Sequence, residues 1–560
     1  MIILNLNAQS HFSVNPIDLD IGRSRFERPK RHLFTGQVGD LIPAYWTEIL
    51  PGDTVSMKLS AVFRMSTLLD PVFDNLYADV NWFFVPMRLT WLHTKEFFGE
   101  NTTGPWAPQT TYTIPQLTFN AGAYQMTVSD YLGVPVGVTG ISVSALPFRA
   151  YSRIYDEWWR DENLIAPPTI SYGDANQSYT YSEGRLGGVP YKAAKFHDIF
   201  TSCLPAPQRG SAVLIPFTGS GSVSISGNFP VTTTTQLHSV GLPIQFAKGS
   251  NTTGENLVEA NGVISGSPRE IALSSGGLSD YSNITKTNLI TTVSGSGSVS
   301  GISSTTSVND LRVAFAMQKW LEKSALFGGR YTSMLRAQFG VTPADASIQR
   351  SEYLGGKRIP LSVQAVENTN GATGTGATPL GKLGAYSHTS DSDDYFTKSF
   401  QEHGFLMCTV CFRYKHSYAQ GIRKEFSRQS MWDYYFPVFA NIGNTAILRE
   451  NIYADGSSDD KNVFGYQEAW AEYRYDQDQI SGMFRPGISG SLSSWHYGDY
   501  YTTGPTLSQG WIEEDKAPVD RTLAVPSSTT VPQLLCDMYF NPTFVRAMPV
   551  YSVPGLIDHH

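Results

Sequence analysis

The sequence predicts a mainly β fold, a jelly roll or sandwich with a few short helices. Three observations carry that prediction. Short runs alternate apolar and polar residues, as in Thr54 to Ser66, TVSMKLSAVFRMS, which is the period of a strand with one buried face. Turn-forming residues separate the runs, with 50 Gly and 32 Pro in 560 residues, the pattern of many short strands joined by long loops. Aromatic residues reach 12% while charged residues stop at 16%; helical repeats and coiled coils carry more charge and fewer chain breakers. A single core rarely grows past about 250–300 residues. A chain of this length therefore implies two domains, or one domain with long insertions.

Residues 1–50 read as an extended arm, because the apolar residues keep no helical period and Pro16, Pro29 and Pro43 interrupt them. A first part of the core spans residues 51–210. It holds the Thr54 run and a second strand, Tyr77 to Val85, YADVNWFFV, ended by Pro86. Tyr151 to Leu164 is a helix candidate with Ile154 and Trp158 on one face and Pro167-Pro168 as its stop. From Ser211 to Asn309 the composition shifts to Gly, Ser and Thr. That stretch reads either as a disordered linker or as an inserted β-subdomain. The period-two recurrence of Val223 and Ile225 favours the insertion.

The second part of the core, 310–530, opens with a helix from Asp310 to Phe327. Val313, Met317, Trp320 and Leu321 lie at helical spacing, and Gly328-Gly329 ends it. Residues 361–395 read as a polar loop. Gly404 to Tyr414, GFLMCTVCFRY, is an apolar strand long enough for the middle of a sheet. Residues 531–560 read as an extended, Pro-rich tail.

Charge and motifs exclude several function classes. The net charge of −8 argues against a surface that covers nucleic acid everywhere, which would be basic. Four cysteines make no disulfide framework and fit a reducing compartment. MIILNLNAQSHF lacks the basic start and apolar stretch of a signal peptide, and no run approaches the ~18 apolar residues of a membrane span. Cys408 and Cys411 are spaced like a metal or redox pair, but on a strand positions three apart face opposite sides, so they read as buried thiols. Gly376 to Leu383, GATPLGKL, is one residue short of a phosphate loop and ends on Leu383, which has no hydroxyl for a metal. Asp156-Glu157 beside Trp158-Trp159 has the residue types of a sugar-cleaving cleft, yet acidic pairs on helices are more often solvated. Asn101, Asn176, Asn251 and Asn283 sit in glycosylation sequons that read as chance matches. No catalytic, cofactor or metal site is expected, and the chain does not read as an enzyme.

One cluster has a sharper functional reading. Within RSRFERPKRH, Arg23, Arg25, Arg28, Lys30 and Arg31 gather in an otherwise acidic chain. Phosphates attract such groups, and Phe26 has a face on which an unpaired base can stack. The bland alternative is an arm whose arginines pair with acidic residues of neighbouring copies.

Several segments together resemble the major capsid proteins of gokushoviruses, the microvirus group of small icosahedral phages. They are GDLIPAYWTEILPGDTVSMKLSAVFRMST, PVFDNLYADVNWFFVPMRLTW and KEFFGEN in the first third, then GVTPADASIQRSEYLGG, then EYRYDQDQISGMFRP. Their order and spacing cover most of the chain outside the insert; Leu68-Leu69-Asp70 departs from the usual pattern. The resemblance implies an eight-stranded antiparallel jelly roll of viral capsid type with very long inter-strand loops. It implies a T=1 shell of pentamers around circular single-stranded DNA, with Ser211 to Asn309 as a trimeric spike at the three-fold axes that meets a host surface receptor. It further implies as partners an internal scaffolding protein, a minor pilot protein and a small basic DNA-binding protein. The expected location is the virion, assembled in the cytoplasm of a bacterial host. A rival class is a carbohydrate-binding or hydrolysing β-protein, which predicts a monomer or trimer with a catalytic cleft. A secreted adhesin is disfavoured by the missing signal peptide.

Overall fold

A computed structural model describes residues 22–102, 104, 111–182, 186–211, 213, 308–369, 379–525 and 531–551, together with the backbone of five strands within 221–299. The chain divides into two compact units, one of them Ala212–Gln318 and the other the rest.

The larger unit is mainly β. Its principal strands are β1 (Arg23–Glu27), β2 (Lys30–Gly36), β3 (Ile42–Ile49), β4 (Thr54–Met65), β5 (Leu76–Pro86), β6 (Glu352–Pro360), β7 (Thr389–Ser399), β8 (Gly404–Tyr414) and β9 (Leu534–Ala547). They make two antiparallel sheets. One runs β1–β9–β4–β7, with β2 also paired to β9; the other runs β6–β5–β8–β3. Aromatic rings bridge the sheets: Phe63 meets Phe412 at 5.6 Å, and Phe540 meets Tyr45 at 4.8 Å and Trp82 at 5.8 Å. Edge-to-face and tilted rings at this spacing add stability beyond the area they bury.

The two sheets differ in how their residues are used. Along β4, buried and open positions alternate, because its outer face is wet. Along β8 every residue but Arg413 is buried, because a second core lies on the outer face of that sheet. Phe83, Phe405, Met407 and Cys411 pack there against Trp91, Phe119 and Tyr151. A strand covered on both sides reads as a continuous apolar run, which is what GFLMCTVCFRY shows. Cys408 accordingly sits in the inter-sheet core and Cys411 in the second one. Burial pushes the thiol pKa of each upward, so both are inert packing groups.

The expected arm over 1–50 is overturned from Arg23 onward. β1 and β2 pair with β9, and β3 is an almost wholly buried strand of the second sheet. The prolines misled because each sits where a strand tolerates one. Pro29 falls in the break between β1 and β2. Pro43 lies in an edge strand beside a register shift, opposite Thr409. The expected tail over 531–560 is also corrected. Leu534–Ala547 is a fourteen-residue strand inside the first sheet. Its Pro542 lies at that same break, where its carbonyl accepts from Arg28 N at 3.2 Å. Residues 1–21 and 552–560 lie outside the described residues.

The helix expected over Tyr151–Leu164 starts earlier and ends sooner. α1 spans Leu146–Ile154 and continues as one π-helical turn, Tyr155–Trp159, before Arg160 turns extended. Pro147 in its first turn suits a helix start. The helix expected from Asp310 is α2, Val308–Phe327; α3, Tyr331–Phe339, follows. Gly328 between them has φ +87. The polar loop expected over 361–395 is in large part paired strand: Val363–Glu367 pairs with Leu383–Ser387, and β7 begins at Thr389. Gly376 to Thr378 of the near phosphate loop lie outside the described residues, and Pro379 onward leads through a turn into the second of those strands.

Within the smaller unit, Gly221–Pro230 pairs along its full length with Ile290–Val299. Gln245–Phe246, Glu255–Glu259 and Ile271–Leu273 form a three-stranded sheet. Val223 and Ile225 lie in the first long strand. Among the described residues, no helix is long and apolar enough to cross a membrane.

Candidate functional site

β1 and β2 carry the basic cluster along one border of the first sheet, with Arg23, Arg25, Arg28, Lys30 and Arg31 all exposed. Their partners are in the same chain. Arg25 pairs with Glu27 at 2.9 Å, and Arg31 donates through Nε to Asp537 at 2.8 Å. Arg28 lies over the Phe544 ring at 5.4 Å and Lys30 over Tyr45 at 5.6 Å. Burial, then the neighbouring Arg28 charge, pulls the Lys30 pKa down. Phe26 is half-buried against the inter-sheet core, opposite Phe544. It packs against that core.

A larger feature was not singled out from sequence. In α2 the residues at helical spacing face outward: Val313, Met317 and Trp320 are each about half exposed, at 48%, 53% and 50%. Phe327 and, in α3, Phe339 are open too. A second open stretch runs from Phe426 to Ile442, where Trp432 is 65% and Val438 87% exposed. Single exposed apolar residues mean little, but contiguous large aromatics mark surfaces meant for a partner. The start of α3 is firmly held. Arg330 donates to the carbonyls of Asp156 and Arg160 at 2.8 and 3.0 Å, and Gly329 N donates to Glu162 at 2.9 Å. The start of α3 is thus anchored to the turn that follows α1.

Asp156 and Glu157 do not form a catalytic pair. Asp156 bonds Arg160 at 2.6 Å, and Glu157 bonds Arg153 at 2.8 Å and accepts from Ser351 N at 2.8 Å. Among the described residues no cluster of His, Cys, Asp or Glu is arranged to hold a metal.

A buried ionic tie joins three loops behind β8. His416 is flanked by Asp499 at 2.9 Å on Nδ1 and Glu514 at 2.9 Å on Nε2, with Lys195 3.8 Å from Asp499. Burial alone depresses the imidazole pKa, but the two carboxylates outweigh it and raise it to about 9. Asp499 is held below the ordinary carboxylate range despite its burial, by His416 and Lys195. The imidazole is therefore favoured as the cation at neutral pH, while burial raises the carboxyl pKa of Glu514 beside it. The partners lie 83 and 98 residues downstream, so no local motif announces them.

A buried two-sheet core and a set of open aromatic residues fit a building block. Comparison with known proteins decides of what kind. Residues 17–556 match the family model described as "Capsid protein (F protein)". The chain belongs to this phage capsid protein family. It is 36% identical to the capsid protein VP1 of Spiroplasma virus 4 over 559 residues, covering 96% of each chain. It is 36% identical to the VP1 of Bdellovibrio phage phiMH2K over 539 residues, covering 95% of each, and 34% identical to that of Chlamydia phage 1 over 587 residues, covering 96% of each. All three are microviruses, in agreement with the resemblance carried by the sequence segments. The capsid chain is thus a structural protein that assembles with copies of itself and resides in the virion.

Proposed function

We infer that this capsid protein builds a T=1 icosahedral shell of pentamers around a circular single-stranded DNA genome. The observation that carries the reading is the open aromatic surface of α2, α3 and Phe426–Ile442 on a chain of a capsid family. Closed shells need distinct contacts around each symmetry axis, and two separate open stretches supply distinct surfaces. The strand order supports a jelly roll: β2–β9–β4–β7 and β3–β8–β5–β6 are the two four-stranded, antiparallel halves of an eight-stranded roll, with β1 an added strand. Residues 211–309 are the natural spike at the three-fold axis, where three copies together bury the sparse Val, Ile and Leu side chains; host attachment is its role. The internal scaffolding protein acts during assembly in the host cytoplasm, and the pilot and small basic DNA-binding proteins accompany the genome.

Co-expression with the scaffolding protein, followed by sedimentation and electron microscopy, tests the assembly. Closed shells of sixty copies are expected, and a chain that stays monomeric contradicts it. Replacing residues 215–305 by a short Gly/Ser bridge tests the spike. Shells are expected to form while attachment to the host is lost; normal attachment removes the receptor role.

A further inference from the structure

The open stretch from Phe426 to Ile442 borders a groove of about 890 Å³. Trp432, Phe439 and Trp470 give it aromatic walls, and Ile442 stands open beside them. Trp470 has a left-handed backbone, φ +66, which is rare for a bulky side chain. Its indole donates to the Phe439 carbonyl at 3.0 Å, so a strained residue fixes one wall. Backbone outliers of this kind gather at binding sites.

The polar atoms of the groove are only partly used. Lys461 bonds Glu450 Oε2 at 2.6 Å, and Lys424 and Arg428 pair with Glu472 at 3.4 and 3.2 Å. The charges are thus compensated within the chain. Glu450 Oε1, Arg428 Nε and Thr445 Oγ1, all from lining residues, are buried without a hydrogen-bond partner among the described residues. Orphaned donors and acceptors together point to a ligand that brings both, and a peptide backbone does. A neutral segment fits compensated walls, because a charged one would be desolvated with no free counter-charge to meet it.

The chain itself carries such a segment. Beyond β9, Met548, Val550 and Tyr551 are open at 42%, 59% and 79%, and the sequence continues as SVPGLIDHH. MPVYSVPGLI, from Met548 to Ile557, has no charged side chain and holds Pro549 and Pro554. Proline-rich extended segments dock in aromatic-walled grooves because they have little freedom left to lose. The geometry points to the groove of another copy. β9 ends beside Asp53, whose carboxylate accepts from Arg546 at 2.9 Å and whose carbonyl accepts from Phe400 N at 2.8 Å, just before β8 opens at Gly404. The groove follows the opposite end of β8, where Ile422 N donates to the Glu450 carbonyl at 2.8 Å. The eleven residues of β8 span roughly 35 Å. Ten extended residues reach roughly 30 Å, so crossing its own body would use up the segment.

We propose that residues 548–557 of one copy seat in the aromatic groove of a second copy. A segment carbonyl accepts from Arg428 Nε and a segment N–H donates to Glu450 Oε1. The contact is head-to-tail, the kind that closes into rings. It rests on the assembly of the chain with copies of itself and names one of the surfaces that does it.

The test titrates the peptide MPVYSVPGLI into the unassembled full-length chain, read by tryptophan fluorescence. Binding is expected, about tenfold weaker to Trp432→Ala, whose ring is exposed, and weaker for a peptide with both prolines replaced by alanine. In parallel, shells are assembled from a mixture of Tyr551→Cys and Ile442→Cys chains and treated with a short bis-maleimide; the native cysteines are all buried. A cross-linked dimer joining the two new thiols is expected. An unbound peptide, equal binding by Trp432→Ala, or shells without that dimer overturn the proposal. If the cysteine variants form no shells, the titration alone decides. Wild-type shells that form although the peptide does not bind sink the tail contact and leave assembly standing. A peptide that binds a chain unable to form shells supports the contact and sinks the shell.

Discussion

α1 and α2 are two helices of the same chain that solve opposite problems. In α1 every residue but Arg153 is buried against the second sheet. Even Arg149 is fully enclosed, with its guanidinium bonded to the Thr90 and Gly173 carbonyls at 3.2 and 3.0 Å. In α2, Val313, Met317 and Trp320 of the helically spaced set stay open while Leu321 is half-buried, and Phe327 at the end of the helix is open too. Both helices have the apolar content that sequence reading equates with a core. The difference teaches that apolar spacing at a helical period does not by itself say whether the face is buried within the chain. One helix completes the fold; the other leaves much of its apolar face open.

The comparison breaks most sharply at the inter-sheet core. Trp82→Ala, at a ring that meets Tyr45 and Phe540, is expected to cost about 3–5 kcal/mol and to leave little soluble protein. Urea unfolding of whatever remains soluble measures it. A near-neutral result contradicts the two-sheet core.

Next comes the ionic tie. The folded pKa of His416, about 9, stands above its ordinary 6.5. Its contribution is therefore fully present below about pH 6.5 and is lost as pH rises through about 9, and it is on the order of 3 kcal/mol. His416→Ala leaves Asp499 and Glu514 buried without their cation. It is expected to lower the melting temperature at pH 7 and to flatten the stability profile between pH 7 and 10. A variant with the wild-type alkaline profile rules out the charged imidazole.

The basic border gives a smaller effect. Arg23, Arg28 and Lys30 changed together to Gln are expected to shift subunit stability by about 1 kcal/mol or less, since exposed cation–ring contacts contribute little. The DNA content of purified particles, read from ultraviolet absorbance, is expected to fall. Full DNA content with fragile shells assigns the border to neighbouring copies instead.

Much of the fold was legible in particular residues. The alternation of Val55, Met57, Leu59 and Ala61 gave β4, and the unbroken apolar run gave β8 its two-sided burial. The cysteine argument rested on strand period and needed nothing more. What misled was proline, because Pro29, Pro43 and Pro542 occupy a strand break, an edge strand and a site beside that same break, and sequence alone does not say which strand is at an edge. The open aromatic surface escaped because exposure is not a property of a sequence pattern. The His416 tie escaped because its carboxylates come from distant loops.

The central claim is that the open apolar residues are for assembly and not for folding. Trp320→Lys with Phe327→Lys tests it most directly, by thermal unfolding of the subunit and sedimentation of the co-expressed shell. Subunit stability is expected to stay within about 0.5 kcal/mol of wild type, as for surface changes generally, while shells no longer form. Shells that form at wild-type yield, or a subunit that no longer folds, contradict the account.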